Sequence, residues 1–148
     1  MKIPIKYGLM TAAGAVVWVL IARLLTNPAS IVYTLGSPIF FNILHFAMIY
    51  LGLKALEREK NEKPIFKEGL KTGVWISFVY ALTVSLFFVG VILSVGTQWF
   101  QSEAAPGEPL SQVAAKAFTA LFVGAMVLGL IYSTMLSFFL AKRQSDEN

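Results

Sequence analysis

The sequence predicts an all-α integral membrane protein built from four transmembrane helices. Three observations carry this. Apolar residues make up 57% of the 148-residue chain and charged residues only 14%, against roughly 25% charged in soluble domains. The charges are clustered: none lies between Lys71 and Glu103, and none between Lys116 and Lys142. Each of those intervals exceeds the ~20 apolar residues that a bilayer-spanning helix needs. The chain is read as one domain with spans at about 7–25, 36–53, 73–97 and 117–141, a charged loop at 54–72 and a loop on the opposite side at 98–116.

The first span runs from Tyr7 to Leu25 with a single charge, Arg23, near its far end. Lys2, Lys6 and the triplet Ala13-Gly14-Ala15 have the look of a secretory signal. The triplet comes too early, with a long apolar stretch still to follow, so the segment is expected to be retained. Ser37 followed by Pro38 is expected to start the second helix, with the hydroxyl as N-cap and the proline where its missing N–H is harmless. That helix should continue past Leu53 as a solvated, charge-interleaved segment and end at Pro64. Ile65, Phe66 and Leu70, flanked by Lys67, Glu68 and Lys71, suit a short amphipathic lead-in to the third span. Phe66, Lys67 and Lys71 are therefore candidates for contact with headgroups or a soluble partner.

Trp75 and Trp99 bracket the third span, 24 residues apart. That is roughly 36 Å at helical rise, a separation that suits two interfacial belts. Trp18 lies deeper and reads as a packing residue. Pro106, Gly107 and Pro109 break any helix between spans 3 and 4. Ser111 is expected to cap the last helix, with Leu110, Val113 and Ala114 holding its lead-in against the interface.

The basic residues give an orientation. Lys2, Lys6, Lys54, Arg58, Lys60, Lys63, Lys67, Lys71, Lys142 and Arg143 fall on one side of a four-span topology, and only Arg23 and Lys116 on the other. By the positive-inside rule both termini are expected in the cytoplasm.

Three segments have a family likeness: "IKYGL" before the first span, "FKEGLKTG" before the third, and "LGLIYSTMLSFFLAKR" closing the fourth. Together they resemble the bacterial four-span membrane family catalogued as domain of unknown function 4199. The most specific part is the pattern Phe66, Glu68, Lys71, Gly73. The resemblance implies a multi-pass protein of the bacterial inner membrane. It implies no activity and no catalytic residues.

Chemistry within the spans centres on His45, the sole histidine, near the middle of span 2. Asn42 lies three residues earlier on the same helical face. The plain reading is a ring that hydrogen-bonds a neighbouring helix, with Ser77, Tyr80, Thr83, Ser85, Ser133 and Thr134 as the available partners. The sharper readings are proton handling or ligand contact, since ionisable groups at this depth often serve function, and a metal or haem ligand completed by a second chain. Arg23 reads as a side chain snorkelling to the interface, with an anionic lipid or a partner carboxylate as the alternative. Gly8 with Ala12, and Gly124 with Gly129, offer small faces where helices can approach closely. Gly69 and Gly73 form a G-x-x-x-G, but they lie among lysines, where close packing has weak support.

There is no cysteine, hence no disulfide and no thiolate chemistry. No span holds a pair of carboxylates, and no phosphate-binding loop, nucleophile elbow or H-E-x-x-H motif is present. No cofactor is implied. The formal charge of +4 comes from loops beside the membrane, so the expected contact is the lipid bilayer, with no nucleic acid. The leading reading is a non-enzymatic accessory or structural subunit that meets other membrane subunits or copies of itself. The alternatives are a small oligomeric channel or transporter lined by His45 and Asn42, and a ligand- or haem-binding membrane protein.

Overall fold

In lipid, a backbone segment has to satisfy its N–H and C=O groups internally, and a long apolar run does so as a helix. The computed structural model describes residues 2–25, 31–96 and 107–145, with no side chains described at 31–34 and 141–145. The described residues form four helices: α1 (Lys2–Leu25), α2 (Ile31–Lys60), α3 (Phe66–Val95) and α4 (Leu110–Ser145). All four are long and apolar enough to cross a membrane. Trp99, Glu103, Pro106, the outer end of the third span and residues 26–30 between the first two spans lie outside the described residues. The side chains of Lys142 and Arg143 lie outside them too.

The helices outrun the apolar stretches at their charged ends. α2 continues through Lys54–Lys60, where the Lys54 ammonium meets the Glu57 carboxylate at 2.8 Å, an i,i+3 pair. It stops at Lys60 and not at Pro64. Asn61 turns the chain in the left-handed region at φ 53°, the usual device after a helix end. Lys60 then bonds Glu68 in the first turn of α3 and ties the two helices across the turn.

Two expected helix starts are corrected. α2 begins at Ile31, so Pro38 lies inside the helix and Ser37 is not its N-cap. Proline removes one backbone donor, but a membrane helix packed on neighbours tolerates this. Ser37 works elsewhere: its hydroxyl accepts a 3.0 Å bond from the Trp18 indole N–H, and Trp18 stacks on Phe40 with centroids 4.3 Å apart. These contacts join α1 and α2. α4 begins at Leu110, so Ser111 lies one residue inside it. The Pro109 carbonyl accepts from Gln112 and Val113 and serves as the first acceptor. Val113 and Ala114 are buried with Ile92 of α3, while Leu110 is exposed.

α3 is the central helix. It packs most extensively on α4, then on α1, and less on α2. α2 completes the bundle by touching all three others. One apolar cluster joins α1 to α3 through Ala12, Ala15, Val19, Tyr80, Val84 and Phe88. A second joins α2, α3 and α4 through Ile49, Leu53, Ile76, Leu136 and Leu140. The most apolar stretch of α3 is 44% buried and that of α4 only 11%. α4 therefore turns most of its surface outward, with Val123, Val127, Leu130, Phe138 and Phe139 all exposed.

Candidate functional site

The interface of α3 and α4 is a ladder of small residues. A Cβ added at Gly69 would stand 2.7 Å from the Ser137 hydroxyl oxygen. One at Gly73 would collide with Ser133, and one at Gly129 would collide with Ser77. Each rung sets a serine on one helix over a glycine on the other, and the two helices run antiparallel. The hydroxyls of the inner two rungs turn back to their own helices. Ser77 Oγ donates to the Gly73 carbonyl at 3.0 Å, and Ser133 Oγ donates to the Gly129 carbonyl at 2.6 Å. The pair Gly73–Ser77 thus faces the pair Gly129–Ser133 with local two-fold character.

α2 fills the notches that this pairing leaves. Ile49 Cγ2 comes within 3.2 Å of a Cβ position on Gly73, and His45 Cε1 comes within 3.2 Å of one on Gly129. His45 and Ile49 are four residues apart, so one face of α2 presents both. This placement breaks the symmetry: one notch takes an apolar side chain and the other a polar ring. His45 is 2% exposed.

The hydrogen bonds assign the ring. His45 Nε2 and Ser77 Oγ are 2.9 Å apart. The single hydroxyl proton of Ser77 already goes to the Gly73 carbonyl, so Ser77 accepts and His45 Nε2–H donates. The ring packs against Tyr80 at 4.7 Å and edge-on to Tyr132 at 5.7 Å, centroid to centroid. Tyr132 also donates its hydroxyl to Asn42 Oδ1 at 2.7 Å, and Asn42 Nδ2 donates to the Pro38 carbonyl at 2.8 Å. His45 and Asn42 each tie α2 to a different neighbour, α3 through Ser77 and α4 through Tyr132.

Of the six partners available to His45 in the sequence, the structure selects Ser77. Tyr132, the donor to Asn42, was not among the residues singled out. Nor was the ladder, although its signal is present: small residues recur every four positions at 69, 73, 77, 81 and 85, and again at 125, 129, 133 and 137. Ser85 and Ser137 are buried with no hydrogen-bond partner for their hydroxyls among the described residues, so they serve there as small spacers.

The other candidates disperse. Gly8 packs on α3, where a Cβ would come within 2.6 Å of Val79 Cβ, and Ala12 is buried in the same α1–α3 contact. Gly124 and Gly129 do not share a face. Gly129 is inside the bundle, whereas Gly124 has nothing within 4 Å of its Cβ position. Five residues amount to about 500° of helix, so the two positions diverge. Arg23 is half-buried in the last turn of α1. Phe66, Lys67 and Lys71 are exposed on the first turns of α3.

Chemically, the polar centre holds three helices in one register. Its donors and acceptors are directed at one another, and no group of three potential metal ligands occurs among the described residues. No family model, curated protein or solved structure matches the chain.

Proposed function

We propose that this chain is a non-enzymatic, multi-pass subunit of a larger membrane assembly. The observation that carries the reading is the division of labour between the interior and α4. The polar groups of the centre engage each other: His45 with Ser77, and Asn42 with Tyr132. α4, by contrast, leaves a long apolar face uncovered. A path between copies lined by His45 is not favoured, because the ring lies inside a single chain and not on its surface.

The basic residues support cytoplasmic termini. The likeness of "FKEGLKTG" and its companion segments to a bacterial four-span family supports the bacterial inner membrane as the location. The exposed Phe66, Lys67 and Lys71 at the start of α3 supply a surface for headgroups or for a partner at that end.

The test is extraction in a mild detergent, followed by size analysis and site-specific photo-cross-linking from Phe66 and Gly124. The reading expects an assembly larger than one copy and capture of another polypeptide from at least one position. Monomers alone, with no capture from either position, would sink it.

A further inference from the structure

An open groove of about 820 Å³ lies where the start of α1 meets the end of α2. Tyr7, Tyr50 and Leu51 line it on the side of the apolar run, and Lys54, Arg58 and Glu62 line it on the charged side. Lys54 is the first charged residue after the uncharged stretch of α2, so the groove sits at headgroup depth. The Tyr7 ring lies over Gly52, 3.6 Å from its Cβ position. That close approach of α1 to α2 walls one side of the groove.

The lining carries both signs of charge, and its individual residues differ in availability. Lys54 is committed to Glu57 at 2.8 Å, and Lys63, beside Glu62 in the lining, is engaged as well. Arg58 and Glu62 are exposed and make no ion pair among the described residues. A purely anionic ligand would meet the Arg58 guanidinium but be repelled by Glu62. A ligand bearing both a phosphate and a primary ammonium offers a counterpart to each. The guanidinium suits phosphate oxygens in a bidentate fork. A primary ammonium can donate hydrogen bonds to a carboxylate and rest on a tyrosine face, whereas a quaternary ammonium has no N–H to donate.

We propose that this groove binds the phosphoethanolamine headgroup of a membrane phospholipid, with Arg58 on the phosphate and Glu62 on the ammonium. The acyl chains then run down over Tyr50 and Leu51, both exposed beside it.

The full chain, purified in mild detergent, is titrated with phosphatidylethanolamine, phosphatidylcholine and phosphatidylglycerol, and retained lipid is counted by native mass spectrometry. A fourth arm uses water-soluble glycerophosphoethanolamine. Phosphatidylethanolamine should be retained over the other two lipids. Arg58→Gln and Glu62→Gln should each lower that retention by about fivefold, the worth of one charge near a membrane surface, while Glu59→Gln, exposed and outside the groove's lining, leaves it unchanged. Both sites are exposed, so folding is not at stake, and an unchanged unfolding profile verifies this. Equal retention of the three lipids, or wild-type retention by both variants, overturns the proposal. Binding of the soluble ester as tight as that of the lipid overturns the membrane source.

Discussion

Gly129→Ala and Gly124→Ala place the same methyl group on the same helix, five residues apart, with opposite expected results. At Gly129 the new carbon collides with Ser77 and stands 3.2 Å from His45 Cε1. The obstacle includes Ser77 Cβ, which is fixed to the α3 backbone and cannot swing aside. α3 and α4 have to part by about 1 Å, a gap that already forfeits a quarter to a half of each contact's attraction. Overpacking of this kind costs about 1–3 kcal/mol. The shift also pulls Ser77 from His45, worth about 0.6 kcal/mol for a membrane hydrogen bond. At Gly124 nothing lies within 4 Å, so the methyl meets open space. The gain in helix propensity from Gly to Ala, at most about 1 kcal/mol, is common to both variants and cancels in their difference. Gly129→Ala should therefore be less stable than Gly124→Ala by roughly 1.5–3.5 kcal/mol. Reversible unfolding in mixed micelles, with denaturing detergent as the perturbant, measures that difference directly. Coincident unfolding curves for the two variants would mean that α3 and α4 do not meet at Gly129.

Exchanging the members of one rung, Gly73→Ser with Ser133→Gly, should be better tolerated than the sum of its single variants, with a coupling of about 0.5–3 kcal/mol in a double-mutant cycle; additive effects would dissolve the rung. His45→Leu should lose about 0.6 kcal/mol, and at most about 1.7, while His45→Gln, which keeps a donor, should lose less; micelle unfolding of the pair separates a packing tie from a group needed for activity, whose loss would leave stability intact. Tyr132→Phe should lose a similar ~0.6 kcal/mol by removing the donor to Asn42, and a Tyr132→Phe chain as stable as the wild type would show that bond to be idle. Reporter fusions at the N-terminus, near Asn61 and at Asn148 should give a cytoplasmic signal and one near Pro106 the opposite; a cytoplasmic signal at Pro106 would unseat the orientation read from Lys and Arg.

The helices were legible because lipid leaves an apolar run few choices. The uncharged stretches from Lys71 to Glu103 and from Lys116 to Lys142 suffice to place α3 and α4. Helix ends were less legible. Pro38 has the form of a helix start, and only the packing of Trp18 on Phe40 and Ser37 shows why the helix continues through it. Likewise Pro64 marks a break, but the conformation of Asn61 ends α2 earlier. At the site, spacing put Asn42 and His45 on one face, yet it could not choose Ser77 from six hydroxyl-bearing candidates. That choice depends on the register of α3 against α4, which Gly73 and Gly129 fix by contact. The four-residue recurrence of small side chains was readable along each helix. The lysines around Gly69 obscured it, because charge at one end of a helix says nothing about which face is buried.

The bond between His45 and Ser77 joins residues 32 positions apart in sequence, and this has a consequence for how the chain is made. At synthesis rates of 5–20 residues per second, the ring of His45 exists for roughly two to six seconds before Ser77 is polymerised. α4, whose Gly129 forms the other wall of the notch, comes later still. Should insertion follow the order of synthesis, the α1–α2 hairpin enters the bilayer with a polar ring that has no destination yet. Trp18, Ser37 and Phe40 join α1 to α2 without help from later helices, so the hairpin can wait as a unit. Assembly in that order has a half-built pair holding an uncommitted histidine until the C-terminal half arrives to receive it.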